Sequence, residues 1–257
     1  MNKDVKASRY ALKSILVSQP APVDENSPYL TLAKKYNLTI DFRPFIKIEP
    51  ISLNEFRKQK VGILEHTAVI FTSRNAADHF FRLCEESKIE MPIAMKYFCV
   101  SEQMANYLQK YIVVRKRKIF TGGKTAQDLI KVLKKYSEER YIFPCSNVRK
   151  NDIPNFLKEN SYQYTEVIIY KTVANDLSDL ANINYDIIVF FSPSGVNSLF
   201  YNFPTFEQKN TRIAAFGPTT AQAVRDSGLV LDIEAPLPNM PSMTGALELY
   251  IKKENGV

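Results

Sequence analysis

The chain has 257 residues, 45% hydrophobic and 24% charged, the balance of a globular protein and not of a disordered or fibrous one. Its longest apolar runs, such as YDIIVFF (185–191), stop well short of the roughly 18 residues that would span a bilayer. The formal net charge of +7 is uneven: residues 49–173 hold 21 Lys/Arg against 14 Asp/Glu, and residues 174–257 hold 5 against 9, so a polyanionic partner is expected for the middle of the chain.

Strand-like and helical patterns alternate along the chain. KSILVS (13–18) reads as a strand and LTIDFRPFIKI (38–48) as a long extended segment. TAVIFTS (67–73) reads as a strand running into a helix, where Ala77, Phe80, Phe81 and Cys84 fall at helical spacing. KYFCV (96–100) is followed by a short turn and a helix. TAQDLIKVLKKYSEE then repeats Leu129, Ile130, Leu133 and Tyr136 on one helical face. RYIFPC (140–145), the helix NDIPNFLKEN and the extended YTEVIIYKTV (164–173) come next, then YDIIVFFS (185–192), GVNSLFYNF, RIAAFG (212–217), PTTAQAVRDSG and MTGALELYIKK. This alternation predicts an α/β protein with a mainly parallel sheet.

The chain is also similar to itself. TAVIFTSRNAADHFF (67–81) resembles YDIIVFFSPSGVNSLF (185–200), and KYFCVSEQMANYLQK (96–110) resembles RIAAFGPTTAQAVRDSG (212–228). TGGKTAQDLIKVL (121–133) resembles PSMTGALELYI (241–251), and residues 140–170 resemble 13–46 with a circular offset. The expected organisation is two similar three-layer α/β domains with parallel, flavodoxin-like sheets. One is contiguous over 49–163; the other joins 1–38 to 174–257. Segments 39–48 and 164–173 would form a two-stranded linker beside an interdomain cleft, a favoured place for a ligand.

The informative residues stand where apolar strands meet helices: Thr72 and Ser73, Ser101, Ser146, Ser192 and Ser194, and Thr219 and Thr220. Such residues cap helices, and the free N–H groups of a helix N-terminus attract anions. Arg74 would add a charge. TGGKT (121–125) lacks the first glycine of a phosphate-binding loop, since Lys118 stands there. The run Arg115–Lys118 reads as a solvated loop, with no nucleic-acid-binding motif beside it, and no nucleic-acid partner is expected. His79 reads as a packed or half-exposed residue and not a ligand, Cys145 as structural, and Tyr170, in VIIYKT, as a packing tyrosine on composition alone. Three cysteines without C-x-x-C spacing and two histidines predict no disulfide framework and no metal or cofactor site. The N-terminus lacks an apolar signal core, so a cytoplasmic protein is expected, with a monomer as the default.

ILVSQP with FRPFIKIEP, VIFTSRNAADHF, YIFPCSNVRKNDIPNFLKENSYQYTEVIIYKT, IIVFFSPSGVNSLF and IAAFGPTTAQAVRDSG, in that order, resemble the uroporphyrinogen-III synthase family over residues 13–251. The chain departs from the family at VSEQMA (100–105), where the usual V-G-x-x-T-A has a glycine at Ser101 and a threonine at Met104; FGPTTA (216–221) is intact. The resemblance implies a cofactor-free lyase that closes hydroxymethylbilane, a linear octacarboxylate, into a macrocycle with loss of water and inversion of one pyrrole. It also implies that Tyr170, the tyrosine of the family's Y-x-T, assists departure of the hydroxyl. Thr72, Ser73, Arg74, Ser101, Ser192, Ser194, Thr219 and Thr220 would bind substrate. A non-catalytic tetrapyrrole- or anion-binding relative is the alternative that VSEQMA leaves open.

Overall fold

The computed structural model describes residues 12–113, 117–181, 183–238 and 240–255; Arg115 and Lys116 of the basic run and residues 1–11 of the first domain lie outside the described residues. The chain opens with β1 (Ser14–Val17), α1 (Pro28–Tyr36), β2 (Thr39–Phe42), β3 (Ile46–Pro50) and α2 (Leu53–Lys58). It continues through β4 (Ala68–Phe71), α3 (Arg74–Glu86), β5 (Lys96–Cys99), α4 (Glu102–Tyr107), β6 (Ile119–Thr121), α5 (Ala126–Leu133), β7 (Tyr141–Ser146), α6 (Asp152–Glu159) and β8 (Tyr164–Ala174). It closes with β9 (Ile187–Phe190), α7 (Pro193–Asn202), β10 (Arg212–Phe216), α8 (Pro218–Asp226), β11 (Leu231–Ala235) and α9 (Met243–Asn255). Two compact units result: a central unit, Ile48–Thr172, and an end-built unit that joins the chain up to Lys47 with Val173 onward.

The end-built unit has the sheet order β11-β10-β9-β1-β2, with every neighbouring pair parallel. In chain order this is the 2-1-3-4-5 arrangement of flavodoxin-like folds. The inner strands β1, β9 and β10 are buried on both faces because they are mainly apolar. Ile15, Val17, Ile187 and Val189 face a core closed by α1 and α9, while Leu16, Ile188 and Phe190 face one closed by α7 and α8.

The central unit has the order β3-β8-β7-β4-β5-β6. Its five parallel strands β8 to β6 are the same sheet rotated in sequence, so the circular offset lies here. Val69 and Phe71 face a core under α2, α3 and α4; Ala68 and Ile70 face one under α5 and α6. The strand alternation thus supplies both outer layers in each unit.

Two expected boundaries need correction. Residues 39–42 are not linker: they form β2, registered in parallel on β1 from Ser14–Thr39 to Val17–Phe42. Residues 164–170 likewise belong to the central sheet as the partner of β7. The reason is burial: Val167 and Ile169 point into the core and are fully covered. The chain crosses between units within β3 and β8, which are neighbours in the central sheet. β6 and β11 also escaped the sequence reading, because IFT and LDIEA are too short and too polar to stand out.

Candidate functional site

In an open parallel sheet, ligands settle outside the carboxyl ends of the strands where the strand order reverses. In the central unit that point lies between β7 and β4. Their ladder holds only the pairs Ala68–Tyr141 and Val69–Ile142. Beyond them β7 offers Pro144, which has no N–H to donate, and the ladder has no further pair. A cleft of about 570 Å³ opens there, lined by Thr72, Ser73, Lys124, Ser146, Arg149 and Tyr170 among others.

Tyr170 sits in the core with its ring and at the cleft with its hydroxyl. The residue is 9% exposed and packs in the cluster that holds Phe71, Ala76 and Phe80. Its hydroxyl lies 3.4 Å from Ser73 Oγ, a long contact in which either oxygen can donate. Ser73 caps α3, accepting the Ala76 N–H at 3.1 Å. Two residues on, Thr172 Oγ1 lies 3.1 Å from Ser146 Oγ, and the Thr172 N–H donates to Asn147 Oδ1 at 2.8 Å. Tyr170 and Thr172 share one face of β8, so the Y-x-T spacing places two hydroxyls along the same wall.

The electrostatics of the cleft are cationic. Lys124 and Lys150 are exposed on its rim, and neither has an ion-pair partner among the described residues. Arg149 is paired with Glu166 and also donates to Asn151 Oδ1 at 2.7 Å. The N-terminus of α3 meets the cleft at its cap, Ser73. That of α5 is already occupied, since Asp128 closes a capping box on Thr125 and accepts the Lys124 N–H at 3.3 Å. The Thr125 and Lys131 hydrogen bonds hold the Asp128 carboxyl well below the usual range, so it stays charged. Gly122 is required at this corner: a Cβ there would meet the Leu129 backbone nitrogen at 2.7 Å. Cys145 is at the cleft floor, but burial pushes its thiol up to about 11 and its Sγ donates to the Val167 carbonyl. It is a protonated packing residue and not a nucleophile.

The remaining sequence candidates stand elsewhere. Arg74 is exposed, outside the cleft wall, with its guanidinium 5.2 Å from the Tyr107 ring centroid. Ser101 is absorbed as the N-cap of α4, accepting the Met104 N–H at 3.3 Å. Ser192 caps α7 by accepting the Gly195 N–H at 3.1 Å, and Ser194 lies half-buried in the first turn of that helix. Thr219 is exposed on α8, whereas Thr220 is 2% exposed and is packed inside the end-built unit, so its side chain is not offered to a ligand. The carboxyl edge of the end-built unit carries its own pocket, about 420 Å³, walled by Tyr29, Phe42, Phe191 and Phe216, with Ser242 and Thr244 at its rim.

Sequence reasoning missed Lys124, Arg149 and Lys150 as site residues. The signals were present: Lys124 stands in TGGKT, weighed only as a phosphate loop, and Arg149 and Lys150 follow directly on strand β7. Among the described residues no cluster of three His, Cys, Asp or Glu could hold a metal ion, and no helix is long and apolar enough to cross a membrane.

Comparison with known proteins meets this geometry. Residues 27–245 match the family model described as uroporphyrinogen-III synthase HemD. The chain is 23% identical to the uroporphyrinogen-III synthase of Saccharomyces cerevisiae, over 86% of each chain. It is 22% identical to that of Chlorobaculum parvum, over 94% of this chain and 100% of the relative. Two solved structures share the fold. One is a mutant uroporphyrinogen III synthase of Thermus thermophilus, with TM-score 0.58 and 14% identity, over 95% of this chain and 99% of that one. The other is the uroporphyrinogen-III synthetase of Helicobacter pylori, with TM-score 0.59 and 16% identity, over 94% and 100%. The chain belongs to the uroporphyrinogen-III synthase family, lyases of tetrapyrrole biosynthesis.

Proposed function

We propose that this chain cyclises hydroxymethylbilane to uroporphyrinogen III, and that the cleft of the central unit carries the chemistry. The observation that supports this most is the Tyr170 hydroxyl, held at the switch point of the sheet within reach of Ser73 Oγ.

The pyrrole nitrogen expels the terminal hydroxyl as the C–O bond breaks. Tyr170 donates its proton to the departing oxygen, so that water leaves. The cationic carbon is then attacked by the substituted carbon of the last pyrrole to give a spiro intermediate; the bond from that carbon to its original bridging methylene breaks, the freed methylene bonds to the unsubstituted carbon of the inverted ring, and that carbon loses a proton, which returns the phenol to its starting state. The leaving group is already activated by the ring nitrogen, so one weak acid suffices, and positioning supplies much of the remainder. Lys124 and Lys150, with the N-terminus of α3, receive substrate carboxylates. The thiol of Cys145 takes no part.

The test is an assay with enzymatically generated hydroxymethylbilane. Type III product is expected from the native chain; type I product alone would mark it as a non-catalytic tetrapyrrole binder. Tyr170→Phe removes only an oxygen and should lower kcat roughly 10²-fold or less, the low end of general acid catalysis, with KM little changed. Native turnover in that variant would reduce Tyr170 to a packing residue.

A further inference from the structure

The mechanism leaves one polar residue beside Tyr170 unused. His79 sits on α3, six residues after Ser73, and its imidazole stacks on the Tyr170 ring with centroids 5.2 Å apart and planes inclined by 26°. Its Nδ1 is buried and has no hydrogen-bond partner. It is not part of the cleft wall. A histidine placed only to fill space would more often be an apolar residue, because each unmet buried polar atom has a cost.

We propose that His79 is a positioning residue: its neutral imidazole is the platform that holds the Tyr170 ring, and so the phenolic oxygen, at the cleft. This rests on the role given above to Tyr170. One helix then places both contacts of the tyrosine, with Ser73 at the hydroxyl and His79 on the ring face. The unpartnered Nδ1 favours the uncharged form. Protonation would put an N–H on buried Nδ1 with no acceptor. Burial and then the Arg82 guanidinium push the His79 pKa below its ordinary value, and Asp78 opposes them only in part. Among the described residues, the charged and titratable groups acting on His79 are Arg82 and Asp78 of its own helix and Tyr170 of β8. Arg82 is fixed by Glu86 and by the Ile51 carbonyl, and Asp78 by Tyr107, Tyr111 and Lys110.

Three variants test this. His79→Ala should lower kcat about fivefold to tenfold with KM within about twofold, the scale of a small misplacement of a reacting group. His79→Phe keeps a flat ring and should recover most of the loss. The kcat–pH profile should fall on the acid side through a group titrating below 6.5, and His79→Phe should lack that limb. The chain has two histidines, so nitrogen NMR follows the His79 ring directly; Arg82→Gln should move its titration back toward the ordinary value. Native kcat in His79→Ala, equal impairment in His79→Phe and His79→Ala, or an ordinary His79 titration in the native chain would each overturn the proposal. If Tyr170→Phe is slow and His79→Ala is not, this inference fails and the role of Tyr170 stands. If Tyr170→Phe turns over at the native rate, it is the role of Tyr170 that fails.

Discussion

The two units build one sheet twice and end it differently. In the end-built unit the switch-point strands β1 and β9 are registered over Ile15–Ile187, Leu16–Ile188 and Val17–Val189, and the Ser18 N–H closes the ladder on the Val189 carbonyl at 3.0 Å. In the central unit the corresponding ladder stops after two pairs, and Pro144 has no N–H to extend it. The closed end has a neutral partner in Phe45, which is buried edge-on against Phe190 and whose own backbone carbonyl accepts the Ser198 hydroxyl. The open end has Tyr170, with a hydroxyl at the cleft and His79 on its ring. Charge follows the same division. Residues 48–172 carry the whole net charge of +7, and the remainder of the chain balances 13 basic against 13 acidic residues. A common scaffold therefore carries different edges: Lys124, Arg149 and Lys150 stand at the cleft of the central unit, and Tyr29, Phe42, Phe191 and Phe216 wall the pocket of the other.

The scaffold side of this comparison can be tested hardest. Phe71 and Phe190 end the equivalent strands β4 and β9 and are both fully buried. Phe71→Ala and Phe190→Ala should each destabilise its unit by about 3–5 kcal/mol, read by chemical denaturation. A much smaller loss at either site would mean that the two cores are not equivalent in packing. Next in size is the charge difference. Lys124→Gln with Lys150→Gln should raise KM about tenfold and leave kcat nearly unchanged, since two exposed charge pairs contribute about 0.2–1 kcal/mol each. The native KM should rise with salt more steeply than that of the double variant. An unchanged KM would remove the cleft of the central unit as the carboxylate site.

A closer pair separates capping from catalysis. Ser73 and Ser192 cap α3 and α7 through the same bond, to Ala76 and Gly195, each at 3.1 Å. Ser73→Ala and Ser192→Ala should each cost about 1 kcal/mol of stability. Only Ser73→Ala should also slow turnover, by a few-fold, because only Ser73 touches the Tyr170 hydroxyl. Equal activity losses in the two variants would instead spread the chemistry over both units.

How much of this was legible in the sequence depends on the range of the signal. Strand and helix patterns are local, and the internal likeness of 67–81 to 185–200 carried the two-unit architecture. Ser73 and Ser192 were legible because caps lie next to the helices they serve. The break at Pro144 was not, because it is a property of a ladder between strands some seventy residues apart in the chain, read only from register. Thr220 misled for the same reason: its neighbours in sequence suggest a cap, and only packing shows it 2% exposed. His79 stood on the apolar side of a helix, and nothing local shows that Tyr170 is its partner.

The smallest expected effect concerns the departure at VSEQMA. In the end-built unit the chain enters α8 through Gly217, at φ +91 and ψ 147, a conformation that belongs to glycine. In the central unit Ser101 enters α4 at φ −149 and ψ 163, ordinary extended backbone, and its hydroxyl caps the helix. The serine has therefore not been forced into a glycine conformation; the turn has been rebuilt around a cap. Glycine is nearly as good an N-cap as serine, so Ser101→Gly should cost only a few tenths of a kcal/mol. Because Ser101 is not part of the cleft wall, kcat and KM should stay at native values in that variant. A rise in activity on Ser101→Gly would show that the glycine entrance has a function of its own, one that the capped turn of the central unit has lost.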